Sequence, residues 1–333
     1  MDLRSLRYFV AVVEAESITR ATKALYIAQP ALTAQIKNLE ADLGVKLLER
    51  SHAGIKPTAA GMQLYSEAVR LLAAADALRT RIGNPSGEPE GQVTIAFPTL
   101  LAGTLLGELV IAVTRRHAKI RLFVIDGFSL AIQNAVQDGR ADFGLLVNPP
   151  TNAGMRVHRV VVESMYFVGR DHDGSVRRLL RTPSARKARR GGPDADPTIR
   201  FSHAAAQPLI MQSRPYSIRR QAEEAAMAKG IRLNVVQEHD SGNVIGALSR
   251  VGAGFTFAPA CSAPELVNKP SEIRARIVEP EFSRTYAVCW LAGRQLSDAA
   301  RAVIKVLRSE LRSTIGEGRW SARLVDQTDD QID

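Results

Sequence analysis

The segment Ser17–Lys37, with the sequence SITRATKALYIAQPALTAQIK, has the pattern of two short amphipathic helices joined by a tight connection. Its first residue, a serine, belongs to the residue types that cap helix N-termini, and apolar residues follow at helical spacing. The pattern breaks at Tyr26, and a second helix starts at Gln29-Pro30, because proline is favoured in a first helical turn. We therefore expect a helix-turn-helix over Ile18–Lys37.

The second helix of this motif has one apolar face and one polar face. Its apolar residues recur at spacings of four, three and four, and they are Leu32, Ile36, Leu39 and Leu43. Threonine, glutamine and lysine suit contacts with bases and phosphates, and small residues allow close approach to a DNA groove. We expect Gln29, Pro30 and Thr33 to contact base edges and Lys37 to contact phosphate. Spacing alone is equally compatible with an ordinary helical hairpin that has a solvated face.

The residues after the motif favour DNA binding over a plain hairpin. Val45–Thr58 has the pattern of a strand, a glycine-containing turn and a second strand, which together form a β-wing. The wing carries Lys46, Arg50, His52 and Lys56, and we expect Arg50 and His52 to contact phosphate or the minor groove. Apolar residues between Leu3 and Val13 predict a first helix that covers the pair. Residues 1–58 are therefore predicted to form a winged helix-turn-helix.

These residues resemble the N-terminal domain of the LysR-type transcriptional regulators. The motifs that carry the resemblance follow the family's order and are Ala21, Gln29-Pro30-Ala31-Leu32-Thr33, Leu39-Glu40, Leu43-Gly44, Leu47-Leu48-Glu49-Arg50, Pro57-Thr58 and Gly61. Within the family, the stretches LRYFV and IAQPALTAQI are most similar to the nitrogen-assimilation-control branch. Two residues depart from the family pattern, since Ile18 replaces a phenylalanine and Thr22 replaces an alanine. Both are core-type changes.

A long helix is predicted after the wing, followed by a hinge. Leu64, Ala68, Leu71, Ala75, Leu78 and Ile82 alternate spacings of four and three, as at the seam between two packed helices. Docking of this stripe on the chain's own domain is the alternative. We favour dimerisation, which the resemblance also implies, because family members dimerise through a linker helix at this position. Glycine and proline between Gly83 and Gly91 predict the hinge, so residues 59–90 are predicted to form the linker.

Alternating strand and helix patterns from residue 91 onward predict an α/β domain with a mostly parallel sheet. Two such series are followed by a strand and a helix that rejoin the first series, which indicates two lobes joined by two crossovers. The family's effector domain, which resembles a periplasmic binding protein, has this architecture. We expect the first lobe to comprise residues 91–163 and 263–320, and the second to comprise residues 164–262. The acidic tail 321–333 is predicted to be disordered.

A ligand site is expected at the C-terminal ends of the strands, where helix N-termini offer free N–H groups. Thr99, Leu100 and Ser129 follow the first two strands of this domain, and family members use the two hydroxyl positions for the effector. A carboxylate or a phosphate suits such a site. Both hydroxyl residues are also compatible with a purely structural role as N-caps. From the second lobe we expect contributions from Ser213, Arg214, Asp240 and Ser241.

The net charge of the chain is +10, but most of the excess lies outside the predicted DNA-binding domain. Residues 1–60 contain eight Lys and Arg against six Asp and Glu, whereas residues 175–200 contain eight against two. The segment 175–200 is unusual for the family, and its composition predicts a disordered, basic loop. We expect this loop to be solvated, with nonspecific contact to DNA or to a second anionic partner as the alternative.

The remaining composition argues against several classes of protein. Cys261 and Cys289 lie in apolar surroundings, as reduced core residues of a cytoplasmic protein do. The first thirty residues do not have the pattern of a signal peptide, and no apolar run approaches the roughly 20 residues needed to cross a bilayer. The six histidines have no metal-binding spacing, and no nucleotide-binding or nucleophile motif occurs. We therefore expect no metal, no cofactor, no membrane contact and no enzymatic activity.

These observations predict a sequence-specific regulator of transcription that is a homodimer or homotetramer on double-stranded DNA. A small, anionic effector is expected to modulate its DNA binding or activation, and RNA polymerase is a further expected partner. Two alternatives remain open. In one, a regulator without an effector uses its lobes for oligomerisation or polymerase contact. In the other, the protein is a nonspecific, basic nucleoid protein.

Overall fold

The computed structural model describes residues 1–51, 54–83, 88–150, 154–183, 196–262 and 271–325. The N-terminal domain consists of three helices and a two-stranded antiparallel hairpin, so the expected winged helix-turn-helix is present. Its elements are α1 (Leu3–Ala15), α2 (Ile18–Leu25), α3 (Gln29–Leu43), β1 (Leu48–Ser51) and β2 (Gly54–Pro57).

The ends of α2 and α3 follow from their local sequence. The Ser17 hydroxyl caps α2 by accepting a hydrogen bond from the Arg20 N–H at 3.3 Å. The chain leaves α2 through Tyr26, whose φ of 54° places it in the left-handed region. Gly44, with a φ of 69°, ends α3 in the same region, where glycine carries no steric penalty. These two turns orient α2 and α3 as a helix-turn-helix.

One apolar core holds the three helices and the wing together. Phe9 and Leu32 have no exposed surface, and Ile36 and Leu39 lie beside them in the same cluster. Leu43, which was expected to continue this stripe, is instead exposed because α3 ends there. The two family departures lie in the interior as expected. They are Ile18 and Thr22, and the Thr22 hydroxyl donates a hydrogen bond to the Thr19 carbonyl at 2.9 Å.

The linker helix α4 (Ala59–Gly83) begins directly at the end of the wing. The Thr58 hydroxyl accepts a hydrogen bond from the Gly61 N–H at 3.0 Å and donates one to the Lys46 carbonyl at 2.7 Å. Gly61 is required by close approach, because a Cβ atom there would lie 2.0 Å from the Leu47 carbonyl oxygen. The first turn of α4 is therefore fixed against the backbone directly before β1.

The C-terminal domain has two lobes. The first segment of the first lobe contains β3 (Gly91–Pro98), α5 (Thr99–Leu101), a π-helical turn (Ala102–Leu106), α6 (Gly107–Arg116), β4 (Ile120–Gly127), α7 (Ser129–Gln137) and β5 (Phe143–Val147). The long strand β6 (Met155–Arg170) follows, and its first half belongs to this lobe. After the second lobe the chain returns and adds β12 (Ser283–Leu291), α11 (Asp298–Gly316) and β13 (Ala322–Leu324). Strands β4, β3 and β5 are parallel, and β12 runs antiparallel between β5 and β6.

The second lobe is built on the other half of β6. It contains β7 (Thr198–Arg200), α8 (Phe201–Ala205), β8 (Leu209–Met211), α9 (Ser217–Ala228), β9 (Val235–Glu238), α10 (Gly242–Val251), β10 (Phe255–Pro259) and β11 (Glu272–Val278). Strands β10, β8 and β9 are parallel to one another, while β10 and β11 flank β6 in antiparallel register. Two crossovers join the lobes, as expected.

The return crossover lies later in the chain than expected. The predicted boundary between residues 262 and 263 is wrong, because β11 pairs with the second-lobe half of β6. The pairing runs from Glu272, opposite Arg170, to Arg276, opposite Tyr166. The side chains of Ile273, Ile277 and Phe282 are buried in the core of the second lobe. The chain rejoins the first lobe only at β12, so the second lobe extends to about residue 282.

Two segments expected to be disordered contain ordered structure. In the basic segment 175–200, Val176 is buried, Arg181 pairs with Thr198, and β7 adds to β11. In the tail, β13 pairs with residues 161–163 of β6, directly after the buried Trp320. The prediction of disorder is therefore wrong for both ends of the basic segment and for the start of the tail. Residues 184–195 and 326–333 lie outside the described residues.

Candidate functional site

The exposed face of α3 carries the residues expected to contact DNA. Gln29, Pro30 and Lys37 are exposed, and Thr33 is half-buried between them and the apolar face. Because Ala28 precedes α3 without a side-chain cap, the first turn of the helix keeps backbone N–H groups free for an anion. This surface matches the way a recognition helix offers its N-terminal residues to the major groove.

The wing is held against α3 by a buried carboxyl group that sequence reasoning did not single out. Glu40 accepts hydrogen bonds from the Leu47 N–H at 2.9 Å and from the Leu48 N–H at 3.3 Å, and it pairs with the Lys46 ammonium group at 2.7 Å. Arg50 lies in β1, opposite Ile55, and its side chain is not described. His52 lies outside the described residues.

The predicted seam of α4 divides into a covered part and an exposed part. Ala68 is fully buried and Leu64 is half-buried, both against the chain's own N-terminal core. Leu71, Leu78 and Ile82 are 49%, 50% and 76% exposed. The first turns therefore dock on this chain, and among the described seam positions the exposed apolar surface lies at the later ones.

A cavity of about 490 Å³ lies between the two lobes of the C-terminal domain. This volume is within the range of pockets that enclose small organic ligands. Its walls come from the ends of β3, β4 and β5 in the first lobe and from the loops after β8 and β9 in the second. The position agrees with the rule that ligands of α/β folds bind beyond the C-terminal ends of the strands.

Most of the expected effector residues line this cavity. They are Thr99, Leu100, Ser129, Ser213 and Asp240. Arg214 and Ser241 are not among the lining residues: the Arg214 side chain is 80% exposed and pairs with Glu223, and Ser241 caps α10 by accepting a hydrogen bond from the Val244 N–H. Five of the seven expected residues therefore line the cavity, and these two do not.

The two hydroxyl residues of the first lobe are not N-caps. Thr99 and Ser129 are the first residues of α5 and α7, and Pro98 and Phe128 occupy the cap positions without side-chain cap bonds. Thr99 instead donates a hydrogen bond to Asp126 at 3.1 Å. Helix α9, whose first residue Ser217 also lines the cavity, has no side-chain cap either. The interpretation of these hydroxyls as N-caps is therefore incorrect, and two helices of at least nine residues open uncapped at the cavity.

Several lining residues were missed by sequence reasoning. Phe128 from the first lobe and Tyr216 from the second meet across the cavity, with ring centroids 4.9 Å apart in an edge-to-face arrangement. Gln212 and Arg284 also line the cavity, and both are buried. Phe128 and Tyr216 directly precede the helix-opening serines, so they could have been found there. Arg284 could not have been found from its sequence neighbours. It lies in β12, far along the chain from the first-lobe residues of the cavity, and it reaches the cavity only through the fold.

A buried polar cluster lies next to the cavity, at the crossover between the lobes. Glu163 accepts hydrogen bonds from the Tyr286 hydroxyl at 2.6 Å, the Trp320 indole N–H at 2.8 Å and the Cys261 N–H at 3.0 Å. Burial, followed by the neighbouring Glu163, raises the pKa of the Cys261 thiol. Burial raises the pKa of Cys289 to about 12. Neither thiol has the lowered pKa and exposure of a redox-sensing cysteine.

The described residues contain neither a metal-binding cluster nor a membrane-spanning helix. Within them, no group of three or more His, Cys, Asp or Glu side chains is arranged to hold a metal ion. No helix in the same part of the chain combines the length and the apolar character needed to cross a membrane.

Family profiles match both parts of the chain. Residues 3–62 match the profile described as "Bacterial regulatory helix-turn-helix protein, lysR family", and residues 86–312 match "LysR substrate binding domain". The chain belongs to the LysR family. It is a DNA-binding transcriptional regulator with a C-terminal effector-binding domain, and its relatives are regulators rather than enzymes.

Individual relatives of this LysR-type regulator cover nearly its whole length. The nitrogen assimilation regulatory protein nac of Klebsiella aerogenes is 28% identical over 312 residues, which are 93% of this chain and 95% of the relative. The corresponding protein of Escherichia coli is 26% identical over 96% of this chain and 98% of its own. The expected similarity to the nitrogen-assimilation branch is thereby confirmed.

Solved structures share the fold. A full-length OxyR variant from Pseudomonas aeruginosa has a TM-score of 0.73 at 20% identity, covering 98% of this chain and 99% of its own. Full-length CbnR, solved in complex with its target DNA, has a TM-score of 0.61 at 22% identity and covers 94% of this chain and 100% of its own. At these identities the likeness establishes the architecture alone.

Proposed function

We propose that this LysR-type regulator acts in the cytoplasm as a homodimer or homotetramer that places two α3 helices on two half-sites of double-stranded DNA. Gln29, Pro30 and Thr33 contact base edges, while Lys37, Arg50 and His52 contact phosphate or the minor groove. The observation that carries this proposal is the exposed, uncapped N-terminal face of α3 on an otherwise well-buried domain. The DNA complex of the structural relative CbnR supports it by analogy.

Dimer formation is proposed to use the exposed part of α4. Leu71, Leu78 and Ile82 lie in the seam pattern and are uncovered by the chain's own domains. Covering them with the same surface of a second copy gives an isologous contact, which relates the two α3 helices by a two-fold axis. Such symmetry is what near-palindromic half-sites require.

The effector is proposed to be a small anion that binds in the cavity between the lobes. Uncapped helix starts at Ser129 and Ser217 supply N–H groups and positive dipole ends. A ligand that contacts both lobes differs in affinity between their open and closed arrangements, so it shifts that equilibrium. The linker helix then transmits the change to the DNA-binding domain, and the coupling between effector and DNA affinity is reciprocal. RNA polymerase is the proposed further partner in activation.

Footprinting on the DNA upstream of the protein's own gene and its divergent neighbour tests the DNA-binding part, with salt titrated. A discrete protected region with two half-sites separated by whole helical turns is the expected result. Diffuse protection that disappears at modest salt would instead support the nonspecific nucleoid protein. A regulator whose footprint and affinity respond to no small anion would support the effector-independent alternative.

A further inference from the structure

Arg284 is a buried cation at the interlobe cavity with unused hydrogen-bond donors. It lies in β12 immediately after the return crossover, and its side chain is only 5% exposed. It is nonetheless one of the residues that line the cavity, and among the described lining residues it is the only cation. Its Nε and Nη1 atoms are buried and have no hydrogen-bond acceptor. Buried donors without partners cost free energy, so their position beside a cavity is consistent with a ligand that supplies the acceptor.

The neighbouring Glu163 does not explain this arginine fully. Arg284 Nη1 lies 3.8 Å from Glu163 Oε1, which is beyond hydrogen-bond distance. The hydrogen bonds from Tyr286, Trp320 and Cys261 already occupy both oxygens of that carboxyl group. Glu163 therefore balances the charge of the guanidinium group without accepting a hydrogen bond from it. The two roles are compatible, because the guanidinium group carries five N–H donors and the ion pair with Glu163 at 3.8 Å uses none of them in a hydrogen bond.

The rest of the cavity restricts what the guanidinium group can bind. Asp240 is the one carboxylate that the described part of the chain places in the lining, and it accepts hydrogen bonds from the Ser213 N–H at 3.1 Å and the Ser213 hydroxyl at 2.6 Å. A second anionic group on the ligand would face this carboxylate. Much of the remaining wall is apolar and includes the paired rings of Phe128 and Tyr216. A ligand with one negative charge and a planar apolar body fits these walls.

We propose that Arg284 binds the carboxylate of the effector and that the effector is a small monocarboxylate with an aromatic or similar apolar body. This inference rests on the proposed function of the cavity as the effector site. The planar guanidinium group can donate two parallel hydrogen bonds to a carboxylate, a geometry that an ammonium group lacks. The apolar body then packs against the contacting rings of Phe128 and Tyr216, which come from different lobes, so that one ligand contacts the two lobes at once.

Calorimetric titration of the full-length protein with benzoate and phenylacetate tests the proposal, with benzamide and phenylacetamide as uncharged counterparts. The wild-type protein is expected to bind at least one acid and to bind its amide at least tenfold more weakly, because only the acid accepts both guanidinium hydrogen bonds. Arg284→Met is expected to weaken binding of the acid on the order of 100-fold. Arg284→Lys, which keeps the charge beside Glu163, is expected to give an intermediate loss.

Arg214→Met is the matched control, since that arginine lies in the same domain but is exposed and outside the cavity. It is expected to leave the affinity for the acid unchanged. Equal affinity of the wild-type protein for an acid and its amide would overturn the proposal that the ligand is an anion. Absence of binding for the whole series would overturn it as well. Unchanged affinity in Arg284→Met would remove the arginine from the site. Should Arg284→Met not fold, the acid–amide comparison and Arg284→Lys decide the question.

Binding of operator DNA in the absence of ligand separates this inference from the proposed function. Arg284→Lys is expected to retain the wild-type footprint, because the substitution lies outside the DNA-binding domain. If the wild-type protein gives a discrete footprint but binds none of the carboxylates, the inference about Arg284 is overturned and the proposed DNA-binding function is not. Loss of any discrete footprint in the wild-type protein would instead overturn the proposed function.

Discussion

The helix-turn-helix and the interlobe cavity assemble their functional residues in different ways. In α3 the proposed DNA contacts lie between Gln29 and Lys37 on one face of a single helix. In the cavity, by contrast, Thr99 and Arg284 come from opposite ends of the C-terminal domain and line one cavity only in the folded chain. A substitution in α3 should therefore act locally on DNA affinity, while one near the cavity also disturbs the packing of both lobes.

The largest expected effect is on the buried cluster beside the cavity. Glu163→Ala should lower the free energy of unfolding by about 3–5 kcal/mol, because it leaves Arg284 without its counter-charge and three donors without an acceptor. Thermal and denaturant unfolding of the full chain measures this loss. Glu224→Ala is the control, since its side chain is 64% exposed and the change should cost less than about 0.5 kcal/mol. Equal losses in the two variants would contradict the global role of the cluster.

The next effect concerns the exposed part of the linker helix. Leu78→Asp should raise the dissociation constant of the dimer about 100-fold, because it places a charge in a seam that association would desolvate. Sedimentation across a range of protein concentrations measures the shift towards monomer. Met62→Asp on the same helix is comparably exposed but lies outside the seam pattern, and it should leave the dimer intact. A dimer that persists in Leu78→Asp would assign α4 a purely intrachain role.

A smaller effect is expected at the base-contacting face of α3. Thr33→Ala should weaken binding to the specific site by about 1 kcal/mol, roughly fivefold, and leave nonspecific binding nearly unchanged. Competition titrations with specific and random DNA separate the two affinities. Thr114→Ala, an exposed change on α6, serves as the control and should alter neither. Equal losses on both DNAs would remove Thr33 from the base-contacting set.

The smallest effect is expected in the salt dependence of DNA binding. Lys37→Ala should reduce the slope of log affinity against log salt by about one, because one phosphate contact releases about one counterion. Affinity measured at several salt concentrations gives this slope. Lys229→Ala, at the end of α9 in the second lobe, should leave the slope at its wild-type value. An unchanged slope in Lys37→Ala would contradict a phosphate contact at this position.

Local sequence determined the parts of the molecule whose signals lie within a few residues. The Ser17 cap and the apolar stripe through Leu32 and Ile36 predicted the helix-turn-helix correctly. Family motifs in the same segment indicated the LysR family, and strand–helix alternation predicted a two-lobed α/β domain. Such signals survive without tertiary structure, because helix caps and hydrophobic periodicity depend on nearest neighbours along the chain.

Tertiary structure alone decided features that depend on contacts between distant residues. The pairing of β11 with β6 set the lobe boundary, and the docking of α4 on the N-terminal core covered Ala68 while leaving Leu78 exposed. The meeting of Arg284 with Glu163 across 121 positions follows from strand register rather than from any local pattern. Burial and electrostatic partners depend on what packs against a side chain, and a single strand or helix does not encode that information.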